Sequence, residues 1–240
     1  MPGESRRTAS GLGRSAPNLA TFTSHAVEFL RAQTCVRRPA AALLAGLALA
    51  AALGLAPAQA KETVVFLRHG EKPALGLGQI DCRGLNRALK LPATLAALFP
   101  APEYGKPAAI FAPNPSVQEN DHGVMYDYIR PLVTIAPTAI ALGMPVDTQH
   151  GHDDIAGLTK ALEKDAYRDA LVLVAWEHRM AEEAARQLVR DFGGDPDVVP
   201  KWDRSDFDSV YIVTIDRDQK SAAFEKKAQG LDGQPDACPQ

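Results

Sequence analysis

Four short runs of β-prone apolar residues punctuate this chain: Thr63-Val64-Val65-Phe66-Leu67, Ala108-Ala109-Ile110-Phe111, Ala170-Leu171-Val172-Leu173-Val174-Ala175 and Val210-Tyr211-Ile212-Val213-Thr214-Ile215. They lack the apolar–polar alternation of a strand with one wet face, so they predict strands covered on both sides. The segments between them repeat apolar residues at helical spacing. From Arg83 or Gly84 to Phe99 these are Leu85, Ala88, Leu89, Leu95 and Leu98, before Pro100, Pro102 and Pro107 end the helix. A second helix is expected from about Tyr126 to Leu142, with Pro131 near its first turn. Gly143 and Pro145 stop it, and Val146 begins a short strand. Further helices are expected from Ile155 to about Lys164 and from Arg179 to about Phe192, the latter ended by Gly193-Gly194. Strands alternating with helices predict an α/β fold, a three-layer sandwich with a mainly parallel central sheet and helices on both faces. Ser116 to Gly123 reads as a polar loop, and the residues after Ile215 read as a poorly patterned tail.

The first sixty residues are different in kind. Residues 1–35 are rich in Ser, Thr, Arg and Gly without apolar period, the composition of a disordered N-terminal extension. Val36-Arg37-Arg38-Pro39 then leads into the uncharged run Ala40 to Leu55 and the exit Ala56-Pro57-Ala58-Gln59-Ala60. Basic start, apolar middle and Ala-x-Ala exit predict a signal peptide over 36–60, and the run is short for a membrane span. Translation starting near Val36 would account for the atypical extension before it. The expected mature domain is 61–240, periplasmic or secreted, with no stable membrane span after cleavage. Two cysteines fall within it, Cys82 and Cys238. An even pair in an exported protein suggests a disulfide from the C-terminal tail to the loop after the first strand, the alternative being two free thiols. Residues making up 46% of the chain are hydrophobic and the net charge is -3. That composition supports a full core and argues against nucleic acid as the main partner.

Residues suited to one kind of chemistry stand at the expected element ends. Arg68-His69-Gly70 follows the first strand, Arg130 lies near the start of the middle helix, and His178 follows the 170–175 strand. In a parallel sheet the ends of those two strands share an edge, where open α/β sheets place their ligand sites. Guanidinium groups hold the charge of a phosphoester while its bond to the leaving oxygen breaks. A neutral imidazole can attack phosphorus and form a phosphohistidine, splitting the reaction in two. A carboxylic acid must then protonate the leaving group and activate water.

Val65-Phe66-Leu67-Arg68-His69-Gly70-Glu71 resembles the signature of the histidine phosphatase superfamily, also called phosphoglycerate mutase-like. The Arg130-to-Thr134 and Val174-to-His178 segments resemble that family's second Arg and second His motifs, in the same order. The resemblance implies that His69 is the phosphorylated nucleophile and that Arg68, Arg130 and His178 bind the phosphoryl group. Lys72 stands where the acid-phosphatase branch keeps another Arg, holding the charge without the bidentate fork. That branch follows its second His with Asp, whereas here Arg179 follows His178. Mutase-like members take a Glu from the loop after the middle helix; here that loop offers Asp147, Asp153 and Asp154. Asp153 or Asp154 is therefore the expected acid, with Glu177 and Glu71 as competitors. Glu71 could instead pair with Lys72, and the Asp153-Asp154 pair could cap the helix at Ile155.

The remaining patterns are weaker. His150-Gly151-His152-Asp153-Asp154 has metal-ligand types without a helical His pair or a cysteine. Trp202 to Asp208 is acidic but lacks the Gly and terminal Glu of a calcium loop, so a solvated loop is expected. Gly76-Leu77-Gly78 is no dinucleotide fingerprint, and no Walker-type Gly-Lys-Ser/Thr occurs. The expectation is a phosphatase needing no metal or other cofactor. Its partner is a phosphorylated small molecule or a phosphorylated cell-envelope component, with oligomeric state open.

Overall fold

The computed structural model describes residues 61–240; the extension expected for 1–35 and the signal peptide expected for 36–60 lie outside the described residues. The chain runs β1 (Glu62–Arg68), α1 (Cys82–Leu98), α2 (Ala101–Tyr104), β2 (Pro107–Phe111), β3 (Glu119–Asp121), β4 (Val124–Tyr126) and α3 (Arg130–Leu142). It continues through α4 (Ile155–Leu162), β5 (Leu171–Trp176), α5 (His178–Asp191), β6 (Ser209–Asp216) and β7 (Ser221–Ala228). Five strands form one sheet in the order β2-β5-β1-β6-β7. β2, β5 and β1 pair in parallel, while β6 is antiparallel to both β1 and β7. Four of the five strands therefore run one way. This is the expected α/β sandwich with a mainly parallel sheet.

Pleating divides the central strands between two cores. Val64, Phe66, Val172 and Val174 face α4 and α5, whereas Val65, Leu67, Leu173 and Ala175 face α1 and α3. β1 and β5 are buried along their whole length, which is why their sequences carry no alternation.

Two elements depart from the sequence expectations. The 116–123 loop is half of a hairpin: Glu119, Asn120 and Asp121 pair with Tyr126, Met125 and Val124. The two-residue turn, His122 at φ 54 and Gly123 at φ 89, has the left-handed backbone that tight hairpins use. Consequently α3 begins at Arg130, with Pro131 in its first turn, rather than at Tyr126. The C-terminal stretch read as unpatterned contains β7. It is a largely exposed edge strand, and its Glu225, Lys226 and Lys227 hide the strand signal while discouraging edge pairing.

The tail beyond β7 is tied back to α1. Cys82 and Cys238 form a disulfide with Cα atoms 4.6 Å apart, at the first residue of α1 rather than in the loop before it. Asn86 Nδ2 donates to the carbonyls of Pro235 and Ala237 at 3.0 and 2.8 Å. Beneath this strap the fully buried Arg87 forks onto Glu71 (Nη2 to Oε1, 2.7 Å; Nε to Oε2, 3.0 Å). It also reaches Asp208 and Asp232, each at 3.0 Å. Glu71 is thus the partner of Arg87, and the expected Glu71–Lys72 pair gives way to a buried network that anchors the turn after β1.

Candidate active site

The register of the sheet brings the two histidine segments together. Arg68 is opposite Trp176 in the β1–β5 pairing, and the His69 amide donates to the Trp176 carbonyl at 3.1 Å. His69 therefore leaves the sheet beside Glu177 and His178, at the carboxyl edge. A pocket of about 760 Å³ opens there, lined by Arg68, His69, Lys72, Arg130 and His178 among others.

His69 is buried to 3% exposure, and its Nδ1 lies 2.7 Å from the Gly70 carbonyl. A carbonyl only accepts, so the proton sits on Nδ1 and Nε2 keeps its lone pair. Burial, reinforced by the charge of Arg68, pushes the imidazole down from 6.5 to about 3. His69 is thus a neutral imidazole with a defined tautomer, the form needed to attack phosphorus. The backbone behind it is constrained by close approach. A Cβ on Gly70 would stand 2.8 Å from the Gly84 Cα, and the Gly70 amide donates to Thr134 Oγ1 at 2.8 Å.

Arg68 is fixed from the 200–208 segment. Its Nη1 donates to the carbonyls of Arg204 and Asp206 at 2.7 and 3.0 Å, and its guanidinium lies 3.7 Å over the Phe207 ring. Burial lowers its pKa to about 10, leaving it charged at neutral pH. The 202–208 stretch expected to be a solvated loop is therefore a wall of the pocket. Phe207 packs edge-on to His69 at 6.0 Å as well.

Arg130, 2% exposed, pairs with Asp121 through Nη1 (2.6 Å) and Nη2 (3.3 Å), while its Nε has no partner. The same carboxylate takes Lys72 Nζ at 3.2 Å and the Gly78 amide at 2.9 Å. Burial raises the Asp121 pKa, but the bond to Arg130 and the Gly78 amide outweigh it, leaving about 2. Lys72 lines the pocket as expected, shared between it and Asp121.

His178 also lines the pocket, and its Nδ1 lies 2.5 Å from Glu177 Oε1 without meeting hydrogen-bonding geometry. Glu177 is the N-cap of α5: its Oε2 accepts from the amides of Arg179 and Met180 at 2.8 and 3.0 Å. Burial raises its pKa, but the contact with His178 and these amides bring it to about 2. A carboxylate so held is an anchor for His178 and a poor proton donor. Glu177, expected from the sequence as a competitor for the acid, lines the pocket in this capping role.

Asp153 and Asp154 are not brought to the pocket. Both are exposed; Asp154 is the N-cap of α4, accepting from the Gly157 amide at 3.0 Å and facing His150 Nδ1 at 2.8 Å. The cap reading fits Asp154, and neither Asp153 nor Asp154 is among the residues lining the pocket. Among the described residues no cluster of three or more His, Cys, Asp or Glu side chains is placed to hold a metal.

Several pocket residues were not expected from the sequence, Tyr128, Glu119 and Arg204 among them. Tyr128 is fully buried, its hydroxyl without a partner, its ring edge-on to His69 at 6.2 Å. Glu119 comes from β3, and Arg204 from the wall segment. Glu119 stands at i−2 from Asp121 in a strand, a spacing that puts both on one face. That signal was hidden by the missed hairpin.

The fold and site define an α/β domain whose carboxyl edge holds a buried imidazole beside the buried guanidinium groups of Arg68 and Arg130. No family model matches the chain, and none of the curated proteins does. Among solved structures it is similar to a protein assigned as the phosphohistidine phosphatase SixA of Nakamurella multipartitia, with 17% identity and a TM-score of 0.46, over 70% of this chain and 95% of that one. It is also similar to phosphoglycerate mutase from Plasmodium falciparum, with 12% identity and a TM-score of 0.47, over 70% and 91% of the two chains.

Proposed function

We propose that this chain is a phosphatase hydrolysing a phosphomonoester through a phosphohistidine on His69. The observation that carries the reading is the state of that side chain: neutral, Nδ1-protonated, and sharing a pocket with Arg68, Arg130 and His178. Its Nε2 lone pair forms the P–N bond as the bond to the leaving oxygen breaks. The guanidinium groups hold the phosphoryl oxygens, which is where the transition state concentrates charge. His178, when protonated, donates to the same oxygens. Water then displaces the imidazole and releases inorganic phosphate. A pocket of about 760 Å³ leaves room for an organic leaving group beside the phosphoryl, so the substrate is proposed to be a phosphorylated small molecule or cell-envelope component.

Export is proposed on the 36–60 sequence pattern together with the disulfide, a bond suited to an oxidising compartment. The mass of the protein recovered outside the cytoplasm tests it: a chain starting at Lys61 is expected. For the chemistry, steady phosphate release from p-nitrophenyl phosphate, lost in His69→Ala, is expected, with an acid-labile phosphoryl group trapped on the wild type. Binding of phosphate esters with no turnover would replace this reading by that of a phosphate-ligand binding protein. Transfer to a second hydroxyl rather than to water would replace it by that of a mutase.

A further inference from the structure

The pocket needs a group that protonates the leaving oxygen, and the sequence-expected candidates do not supply one. Three carboxylates line it: Glu119, Glu177 and Asp203. Glu177 spends one oxygen on two α5 amides and presents the other to His178. Asp203 is turned to its own loop, accepting from the Ser205 amide at 2.7 Å and the Ser205 hydroxyl at 2.6 Å, on an exposed bend. Glu119 differs in kind. Its contact is with a side chain, His152 Nε2 at 3.3 Å from its Oε2, and it is partly open to the pocket at 27% side-chain exposure.

We infer that Glu119 is the general acid and base of this pocket and that His152 is its positioning residue. The inference rests on the phosphohistidine reading above. Alternation along β3 puts Glu119 and Asp121 on the same face, so one short strand grips Arg130 with its inner carboxylate and faces the pocket with its outer one. His152 is fixed on both sides. Its carbonyl accepts from Trp176 Nε1 at 2.8 Å, and its Nε2 also lies 3.3 Å from the Gln118 carbonyl. Because that carbonyl only accepts, the proton is on Nε2, directed between Gln118 and the Glu119 carboxylate. Tyr128 packs edge-on against both His152, at 5.2 Å, and His69, at 6.2 Å, so the positioning residue and the nucleophile are set against one ring.

The steps balance. As Nε2 of His69 forms its bond to phosphorus, the bond to the leaving oxygen breaks and the Glu119 proton passes to that oxygen. The resulting carboxylate takes a proton from water as water attacks phosphorus. The P–N electron pair returns to His69, Glu119 is again protonated, and phosphate leaves. The cycle starts from Glu119 in its protonated form, the form that can donate to the leaving oxygen. His152 contacts Glu119, Tyr128, Lys72 and Arg130 share its pocket, and Asp121 lies along its own strand.

The test compares leaving groups in the full-length protein. p-Nitrophenolate departs without protonation, whereas the alkoxide of β-glycerol phosphate needs a proton. Glu119→Gln is expected to lower kcat/KM for β-glycerol phosphate by about 10²–10⁴-fold. The same variant should keep the p-nitrophenol burst within about tenfold and slow the turnover that follows it. His152→Gln is expected to keep the burst and move the pH limb assigned to Glu119. Equal losses on both substrates, or no loss on either, overturn the assignment. Should the Gln variant unfold at a lower urea concentration than wild type, Glu119→Asp, which keeps the charge on a shorter stem, provides the same comparison. His69→Ala separates the two levels: no burst is expected from it, and a burst would sink the phosphohistidine reading rather than the Glu119 assignment.

Discussion

His69 donates its Nδ1 proton to the carbonyl of the next residue, Gly70, at 2.7 Å. One local bond thus fixes both the tautomer of the proposed nucleophile and the direction of its lone pair. Burial holds the imidazole at about 3, against an ordinary 6.5. The unfolded chain therefore binds a proton that the folded chain refuses between those values. Stability from this residue is complete above about pH 6.5 and falls by up to about 1.4 kcal/mol per unit as pH drops toward 3. Replacing the imidazole removes that slope. Urea midpoints of wild type and His69→Asn, measured from pH 7 to pH 4, are expected to converge as the pH falls.

The turn that carries His69 is held by the Arg87 fork on Glu71. Arg87→Met leaves the carboxylates of Glu71 and Asp208 near one another without their buried counter-charge. A loss of about 3–5 kcal/mol is expected, the range for removing one partner of a buried pair. The exposed Asp232 contributes little to this figure. Chemical denaturation measures it, and a loss under about 1 kcal/mol would show that the network relaxes without strain.

Reduction of Cys82–Cys238 frees the C-terminal strap. The cysteines are separated by 156 residues, so the cross-link removes much freedom from the unfolded chain. A stabilisation of about 2–4 kcal/mol corresponds to a fall in Tm of roughly 5–15 °C in dithiothreitol. Activity below that transition should persist, since neither cysteine lines the pocket.

Arg130→Lys keeps the charge but removes the fork that spans both Asp121 oxygens. About a 10–100-fold fall in kcat/KM on p-nitrophenyl phosphate is expected, equivalent to about 1.4–2.7 kcal/mol of binding to the phosphoryl oxygens. Full activity in the Lys variant would show that Arg130 serves only to anchor the β3–β4 hairpin.

Gly70→Ala tests the close contact between the turn and α1. The added Cβ would stand 2.8 Å from the Gly84 Cα, and backbone cannot rotate away as a side chain can. A destabilisation of about 1–3 kcal/mol, with loss of turnover from a displaced His69, is expected from thermal melts and assays together.

The core strands and the three-motif order were legible because both are written locally. A buried strand announces itself in consecutive residues, as 63–67 and 170–175 do, and Arg68, His69 and His178 sit directly at strand ends. The hairpin at 119–126 was not legible, since Glu119-Asn120-Asp121 carries no β-prone residue and is held by its turn and its partner strand. β7 was hidden for a related reason: an exposed edge strand is free to be polar.

By itself the sequence determined the layering of the fold and placed Arg68, His69, Arg130 and His178 at element ends that meet in one pocket. Only the tertiary structure decided which carboxylates face that pocket. Asp153 and Asp154 lie where a sequence comparison looks for an acid, but the start of α4 needs a cap, and Asp154 accepts from the Gly157 amide there. Arg68 meets Arg204 and Asp206 across more than 130 positions, and Arg87 meets Asp232 across 145. Contacts of that range depend on how strands register and helices pack, and nothing in the residues next to them in the chain encodes the partner. The downward shift of the His69 pKa has its origin there too, because desolvation belongs to the packed interior and to no tripeptide.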